Sequence, residues 1–429
     1  MAVRTFCDDI IKVYTHCDSV MSIYTYGELV WPTGPVPPGQ WYVSWQPSNI
    51  SGSFTMFGQT YRLEDYSGLY TWEGPASTSG MIGGSFRESS MYGEGYKTYM
   101  ETNVLSIGNA AFQANYHLES ISCSRCRHIG ENAFRTCYSL QYVSLPRCLD
   151  IDIRAFMYCS SISYVSLPVV KTISYGAFEE CSNLHSLYAP RCEYISQHAF
   201  DGADLYSVDL PMCSCIENDV FWGNHNLSYV SLPVCTRIDG SAFAYCSALT
   251  SVYLPVCSEP MAAFVGCTSL ESIDLPACTS TVETFRDCTS LSQVSLPLCE
   301  YVGYDTFRNC EHLSRVELPK CKSMSYGVFA GCSALSYIDL GECSYITELG
   351  PSWHSRFKGA FQDCVNLTTV ILRGSSTICS IGSSYASYVF ENTPIQSGTG
   401  SIYVPSSLVS SYKNATNWRY YSSQIFPIE

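Results

Sequence analysis

The sequence predicts a mainly β solenoid, and three observations carry that prediction. A phenylalanine returns every 21 or 22 residues, a short alternating apolar stretch follows it, and a Leu-Pro pair usually closes the stretch. The phenylalanines are Phe112, Phe134, Phe156, Phe178, Phe200, Phe221, Phe243, Phe264, Phe285, Phe307 and Phe329, with Phe361 and Phe390 following after longer intervals. A fixed period of this length means units that cannot bury a core alone and do so by stacking.

One unit shows the logic. From Ile129 to Cys148 the apolar positions are Ile129, Phe134, Cys137, Leu140, Val143, Leu145 and Cys148. The end of Leu140 to Leu145 alternates as a half-buried strand does, and Pro146 ends the ladder because it has no N–H to give. The Ala-Phe segment is too short for a helix, so a tight 3₁₀-like or irregular turn is expected opposite the strand. Stacked units lay their strands in a parallel sheet at ~4.8 Å per turn.

The solenoid is expected over residues 101–395. Within it, Leu340-Gly341 replaces Leu-Pro and Glu348 to Lys358 interrupts the period, which predicts a protruding loop. Residues 81–100 read as an N-terminal cap. At the other end, 396–429 read as a C-terminal cap, with a strand ended by Pro405 and then a helix N-capped by Ser406 or Ser407. Upstream, 32–40 form a Pro/Gly linker between an N-terminal β segment (1–31), a candidate attachment piece, and a small β module (41–80).

Composition narrows the function. Twenty-three basic against 38 acidic residues give a net charge of −15, which repels phosphate backbones and anionic lipid surfaces, so no nucleic-acid partner is expected. The opening residues lack the basic start and ~7–15-residue apolar run of a secretory signal, and no apolar run reaches the ~18–20 residues of a membrane span. An unanchored chain without general export is the expectation.

The recurring Ala-Phe-x-x-Cys-x-x-Leu-x-x-Val-x-Leu-Pro-x-Cys, over about two-thirds of the chain, resembles the BspA-type leucine-rich repeats of gut and oral bacteria and of some phages and protists. The C-terminal Ile402-Tyr403-Val404-Pro405 with Leu408-Val409, Tyr412-Lys413 and Ala415 to Trp418 is similar to an ending many such proteins share. The resemblance implies display at a surface, adhesion, and protein or glycan binding, with no catalytic residues. The short segments Ile11 to Tyr14 and Ile23 to Trp31 resemble the N-termini of gut bacteriophage structural proteins. A virion protein needs no export signal, so the leading expectation is a virion surface or tail protein, docked to other virion proteins through its N-terminal module. The alternative is a bacterial cell-surface adhesin. Self-association into a homo-oligomer is compatible with either.

Twenty-four cysteines suggest disulfides at first sight, but their spacing argues for buried thiols. Nine lie three residues after the repeat Phe and ten close the strand segment, while Ala203 and Val170 stand at two rungs where a required bridge partner would have to be Cys. Cys123-Ser124-Arg125-Cys126 and Cys213-Ser214-Cys215 imitate metal spacing, yet Cys126 and Cys213 are rung positions without a histidine cluster, so no metal or other cofactor is expected. His117, His185, His225 and His312 sit near the repeat Leu, and no nucleophile-base constellation can be assembled from them. An enzyme is therefore not expected.

The better functional candidate is the outward strand surface: Tyr142, Ser144, Tyr164, Ser166, Tyr188, Asp209, Tyr229, Ser231, Tyr253, Asp274, Arg315, Glu317, Tyr337 and Asp339. Tyrosine offers large contact area at low entropic cost, while Ser and Asp supply hydrogen bonds. The plain alternative is an ordinary solvated strand surface in a tyrosine-rich protein.

Overall fold

The chain is a β solenoid of about 14 turns with a period near 22 residues and few helices. A computed structural model describes residues 105–116, 118–346, 358–382 and 388–429. The segments expected within 1–100 lie outside the described residues, as do residues 347–357 of the expected loop. Two compact units, Met1–Leu210 and Pro211–Glu429, make up the chain.

In the first unit, each turn contributes three ladders. The strand side runs Leu118–Ser122, Tyr142–Ser144, Tyr164–Ser166 and Ser186–Tyr188, all parallel, with Ser120, Tyr142, Tyr164 and Ser186 in register. A second ladder joins the pairs Ser106–Ile107, His128–Ile129, Asp150–Ile151, Thr172–Ile173 and Tyr194–Ile195. The third runs through the Ala-Phe turns and is not legible as a strand in the sequence. Asn132, Phe134 and Thr136 donate their N–H groups to Ile153, Ala155 and Met157 of the next turn at 2.9, 2.7 and 2.8 Å. The residues between them donate backwards, Ala133 to Gly130 and Arg135 to Asn132, as a 3₁₀-like turn requires.

The alternation comes from backbone handedness. From Phe112 to Phe329 the residues two before and two after the repeat Phe have positive φ, for example Asn132 (55°) and Thr136 (63°), or Arg154 (52°) and Tyr158 (63°). An L residue other than Gly, Asn or Asp is costly there, by about 1–2 kcal/mol. Arg154, Tyr158 and Tyr245 show that rung-to-rung bonding and core burial outweigh this. At Gly266 (φ 70°) glycine is also sterically apt, because a Cβ would stand 2.7 Å from the Tyr245 ring.

The core sits between the ladders. Phe112, Phe134, Phe156, Phe178 and Phe200 stack with centroids 5.0–5.2 Å apart. Leu140, Leu145 and Ile151 fill the space beside the rings with no exposure. Each aromatic pair adds ~0.5–1.5 kcal/mol beyond the area it buries.

The second unit repeats the plan from Phe221 to Phe390, but its strand-side ladder is divided. Tyr229–Ser231 pairs with Ser251–Tyr253. A separate ladder holds Ser272–Asp274, Gln293–Ser295 and Arg315–Glu317, and a third holds Tyr337–Asp339, Thr369–Ile371, Ser401–Val404 and Ile425–Pro427. The second ladder also stops, at Glu259–Pro260, and resumes at Ser280–Thr281. Pro260 stands where Ile238 stands one turn earlier and has no N–H for the ladder. The Phe stack is widest at the same place, 5.8 Å for Phe243–Phe264 and 5.9 Å for Phe264–Phe285.

The C-terminal end differs from expectation in one detail. Strand Ser401–Val404 is followed by a 3₁₀ turn, Ser406–Leu408, and a helix, Val409–Asn414, whose N-cap is Leu408 with no side-chain bond. Neither Ser406 nor Ser407 caps that helix; the intervening 3₁₀ turn places both serines a turn too early, and the Ser406 hydroxyl faces the Ile428 carbonyl at 3.5 Å. Trp418 and Tyr421 close the apolar cross-section, Tyr421 meeting Phe390 edge-on at 5.1 Å. Trp418 Nε1 donates to Cys379 O at 2.6 Å, and Tyr412 Oη accepts from Cys379 N at 2.8 Å.

Candidate functional site

The three-residue strands turn the middle residue inward, buried in most of them and half-buried at Leu187, Val252 and Val316, and turn its two neighbours outward, as the two-residue period of a strand demands. Val143 and Val165 are buried, so Tyr142 and Tyr164 share one outward column and Ser144, Ser166 and Tyr188 share the next. Tyr142, Tyr164 and Tyr188 are exposed, Ser144 and Ser166 half-buried, and Asp209 exposed. Ser186 completes the first column. It was not among the predicted residues, although its offset from the half-buried Leu187 is the same.

In the second unit, Tyr229, Tyr253, Asp274, Arg315, Glu317 and Tyr337 are exposed and Asp339 is half-buried. Ser231 corrects the prediction: it is 8% exposed and therefore buried. It lies in register with Tyr253, and the shorter of two neighbouring side chains on a pleated surface cedes the solvent to the longer. Ser251, Ser272 and Gln293 are exposed at equivalent positions; the sequence rule, one residue either side of the inward aliphatic, could have found them.

Two ion pairs distinguish one end of this strand side. Arg315 Nη2 lies 2.7 Å from Glu317 Oε1, and Arg373 Nε and Nη2 both lie 2.7 Å from Asp339 Oδ2. The Asp339 carboxylate beside it holds the Arg373 guanidinium above its ordinary value. Arg373 was also missed, because it stands in a lengthened corner where other turns have proline.

Comparison with protein families matches the BspA type leucine rich repeat region, in six copies, over residues 96–206, 149–259, 258–353 and 283–419. The chain belongs to the BspA-type leucine-rich-repeat family. A leucine-rich repeat protein from Bacteroides ovatus is 20% identical, with 98% of this chain and 99% of that one covered at a TM-score of 0.55, and supports the fold. A leucine rich cell surface protein from Faecalibacterium prausnitzii is 19% identical over 96% and 97%, with a TM-score of 0.41. The T. pallidum leucine rich repeat protein is 29% identical over 34% of this chain and 72% of its own, with a TM-score of 0.33. Comparison with curated proteins returns no match.

In this BspA-type chain the cysteines are core groups. All 22 among the described residues are free, and all but Cys215 are buried. The nine that follow the repeat Phe donate Sγ–H to the Phe carbonyl one turn earlier, at 3.0–3.3 Å. Asn224 takes this position after Phe221 and donates Nδ2–H to that residue's own carbonyl at 3.0 Å. The strand-closing cysteines donate to the carbonyl two residues on, as Cys126 does to His128 at 3.2 Å. Burial pushes the Cys126 thiol up to about 11, so Cys126 has the pKa of a core group rather than of a ligand or nucleophile.

Three of the described histidines tie turns together. His185, His225 and His312 ring nitrogens bond carbonyls of Asp204, Tyr245 and Thr289 at 3.1, 3.0 and 2.7 Å; His117 lies outside the described residues. Among the described residues, no group of three or more His, Cys, Asp or Glu is placed to hold a metal ion, and no helix is long and apolar enough to cross a membrane.

Proposed function

We propose that this chain is a non-enzymatic recognition protein of the bacterial cell-surface kind, with its strand side as the ligand-binding surface. The observation that carries the reading is the in-register pair of exposed tyrosines, Tyr142 and Tyr164, beside a column of Ser144, Ser166 and Tyr188. Rigid phenol rings over hydroxyls suit a protein or glycan surface, because contact area comes at low entropic cost. The ligand is displayed by a host or neighbouring cell. Display on a phage particle is the rival placement, and the fold and the relatives offer nothing that favours it.

Beads coated with the full chain should be retained on cells carrying the ligand, tested across epithelial and bacterial surfaces. Beads carrying Tyr142→Ser, Tyr164→Ser and Tyr188→Ser together should lose most of that retention. Equal retention would remove the strand side from the mechanism. Mass spectrometry of intact-cell surfaces and of gradient-purified virions from the source culture decides the placement: recovery at fixed stoichiometry with capsid or tail proteins would replace cell-surface display with virion display.

A further inference from the structure

The second unit carries one feature that a uniform repeat would not produce. Where the strand-side ladder stops between Arg315–Glu317 and Tyr337–Asp339, a cavity of about 630 Å³ opens. That lies within the ~300–1,000 Å³ of small-ligand sites. The corner proline is missing on both following turns, replaced by Gly341 and Arg373, and Arg373 N instead donates to Gly341 O. A Cβ at position 341, which has φ 54°, would stand 3.3 Å from the Pro319 carbonyl, so glycine leaves the corner open.

The polar groups around this cavity are held in place before any ligand arrives. Asp339 Oδ1 accepts from Gly341 N at 3.0 Å while Oδ2 accepts from Arg373 at 2.7 Å. Arg315 and Glu317 are fixed to each other on the facing strand. Two guanidiniums and two carboxylates sum to zero, which disfavours a bare ion and favours a ligand that both donates and accepts. A hydroxyl has one donor and two acceptor lone pairs, so vicinal hydroxyls can accept from an arginine and donate to a carboxylate together. Tyr337, 48% exposed, adds a ring face at the rim. A second depression of about 440 Å³ lies across the same strand and shares Arg315 and Glu317.

We infer that this charged corner, Arg315, Glu317, Tyr337, Asp339 and Arg373, is a binding site for a neutral hexose chain, with the Arg315–Glu317 strand between two adjoining sugar positions. The site rests on the strand-side reading above, since it uses the same exposed side. It differs in lying in the second unit and in using none of the tyrosines that the bead experiment changes.

The test is saturation-transfer NMR and calorimetry on the full chain with neutral tri- to hexasaccharides of glucose, galactose and mannose. At least one should bind with a millimolar or lower Kd. Asp339→Asn and, separately, Tyr337→Ala should weaken it about tenfold or more, while Val234→Ser should leave it unchanged. Arg373→Lys, which keeps the charge but loses the planar fork, should also weaken binding and guards against a misfolded Asp339→Asn. No transfer to any of the sugars, or affinities unmoved by all three site variants, would overturn the site. Bead retention without sugar binding, lost on Asp339→Asn, would give this corner to a protein ligand and also overturn the hexose assignment. Bead failure with sugar binding intact would leave this site standing and sink the broader tyrosine surface alone.

Discussion

Within the second unit, the turn side and the strand side keep different degrees of order. On the turn side the Phe stack runs from Phe221 to Phe390, and the N–H groups of Ala262, Phe264 and Gly266 still reach Val282, Thr284 and Arg286 in the next turn. That is the very place where both strand ladders lapse. Cohesion therefore belongs to the aromatic and thiol columns, and the strand side can tolerate gaps. A surface that is not needed for cohesion is free to carry cavities and charge, as it does at Arg315 and Asp339.

The largest way to break this contrast is alkali. Burial is the leading cause that pushes Cys126 and Cys257 up to about 11 and Cys192 and Cys235 up to about 12. An unfolded thiol releases its proton near pH ~8.5. The folded chain therefore keeps protons that the unfolded chain has lost, so this stabilisation is whole below pH ~8.5 and disappears as the pH climbs towards the folded values. The melting temperature should fall steadily above pH ~8.5 in reducing buffer. A flat profile up to pH ~11 would contradict buried thiols.

Next is Phe243→Ala. The ring is fully buried between Phe221 and Phe264, and its loss should cost ~3–5 kcal/mol in urea unfolding. An unchanged midpoint would take the stack out of the core. Ala262→Gly sharpens the comparison in the other direction, because Ala262 holds φ 48°. Relief of that strain is partly offset by the looser unfolded chain, leaving a gain of ~0.5–1 kcal/mol; destabilisation would show that the methyl packs more than the handedness costs. The smallest effect is expected for Tyr229→Ala on the strand side, within ~0.5 kcal/mol. A loss comparable to that of Phe243→Ala would erase the distinction between the two sides.

The repeat, the alternating strand and the buried cysteine positions were legible because each depends on local spacing that recurs. Phe134 announces its burial by returning in every turn, and Cys137 and Val143 by returning in most, with apolar or small polar substitutes elsewhere. The turn-side ladder was not legible, since it needs positive φ at Arg154, Tyr158 and Tyr245, residues whose local preference points elsewhere and whose partners lie a full turn away. Ser231 shows a related limit: orientation follows from the strand period, but exposure depends on the neighbouring side chain. Arg373 escaped because it sits where the period is broken, and the charged corner exists only once Asp339 and Arg373, 34 residues apart, are brought together.

The forward aim of the turn-side N–H groups gives each unit a direction. Each turn hands its donors to its successor, so an additional turn inserted mid-stack would find both a giver before it and a taker after it. The last turn has no successor: Asp363 N still reaches Glu391 O, but Asn392 N donates instead to Gln396 Oε1, 2.9 Å away, as its substitute. Lengthening or shortening this protein by whole repeats is thus a matter of arithmetic ahead of Phe390, whereas the residues from Asn392 onward, with Tyr421 set against the last Phe ring, form a stopper that must follow the final repeat.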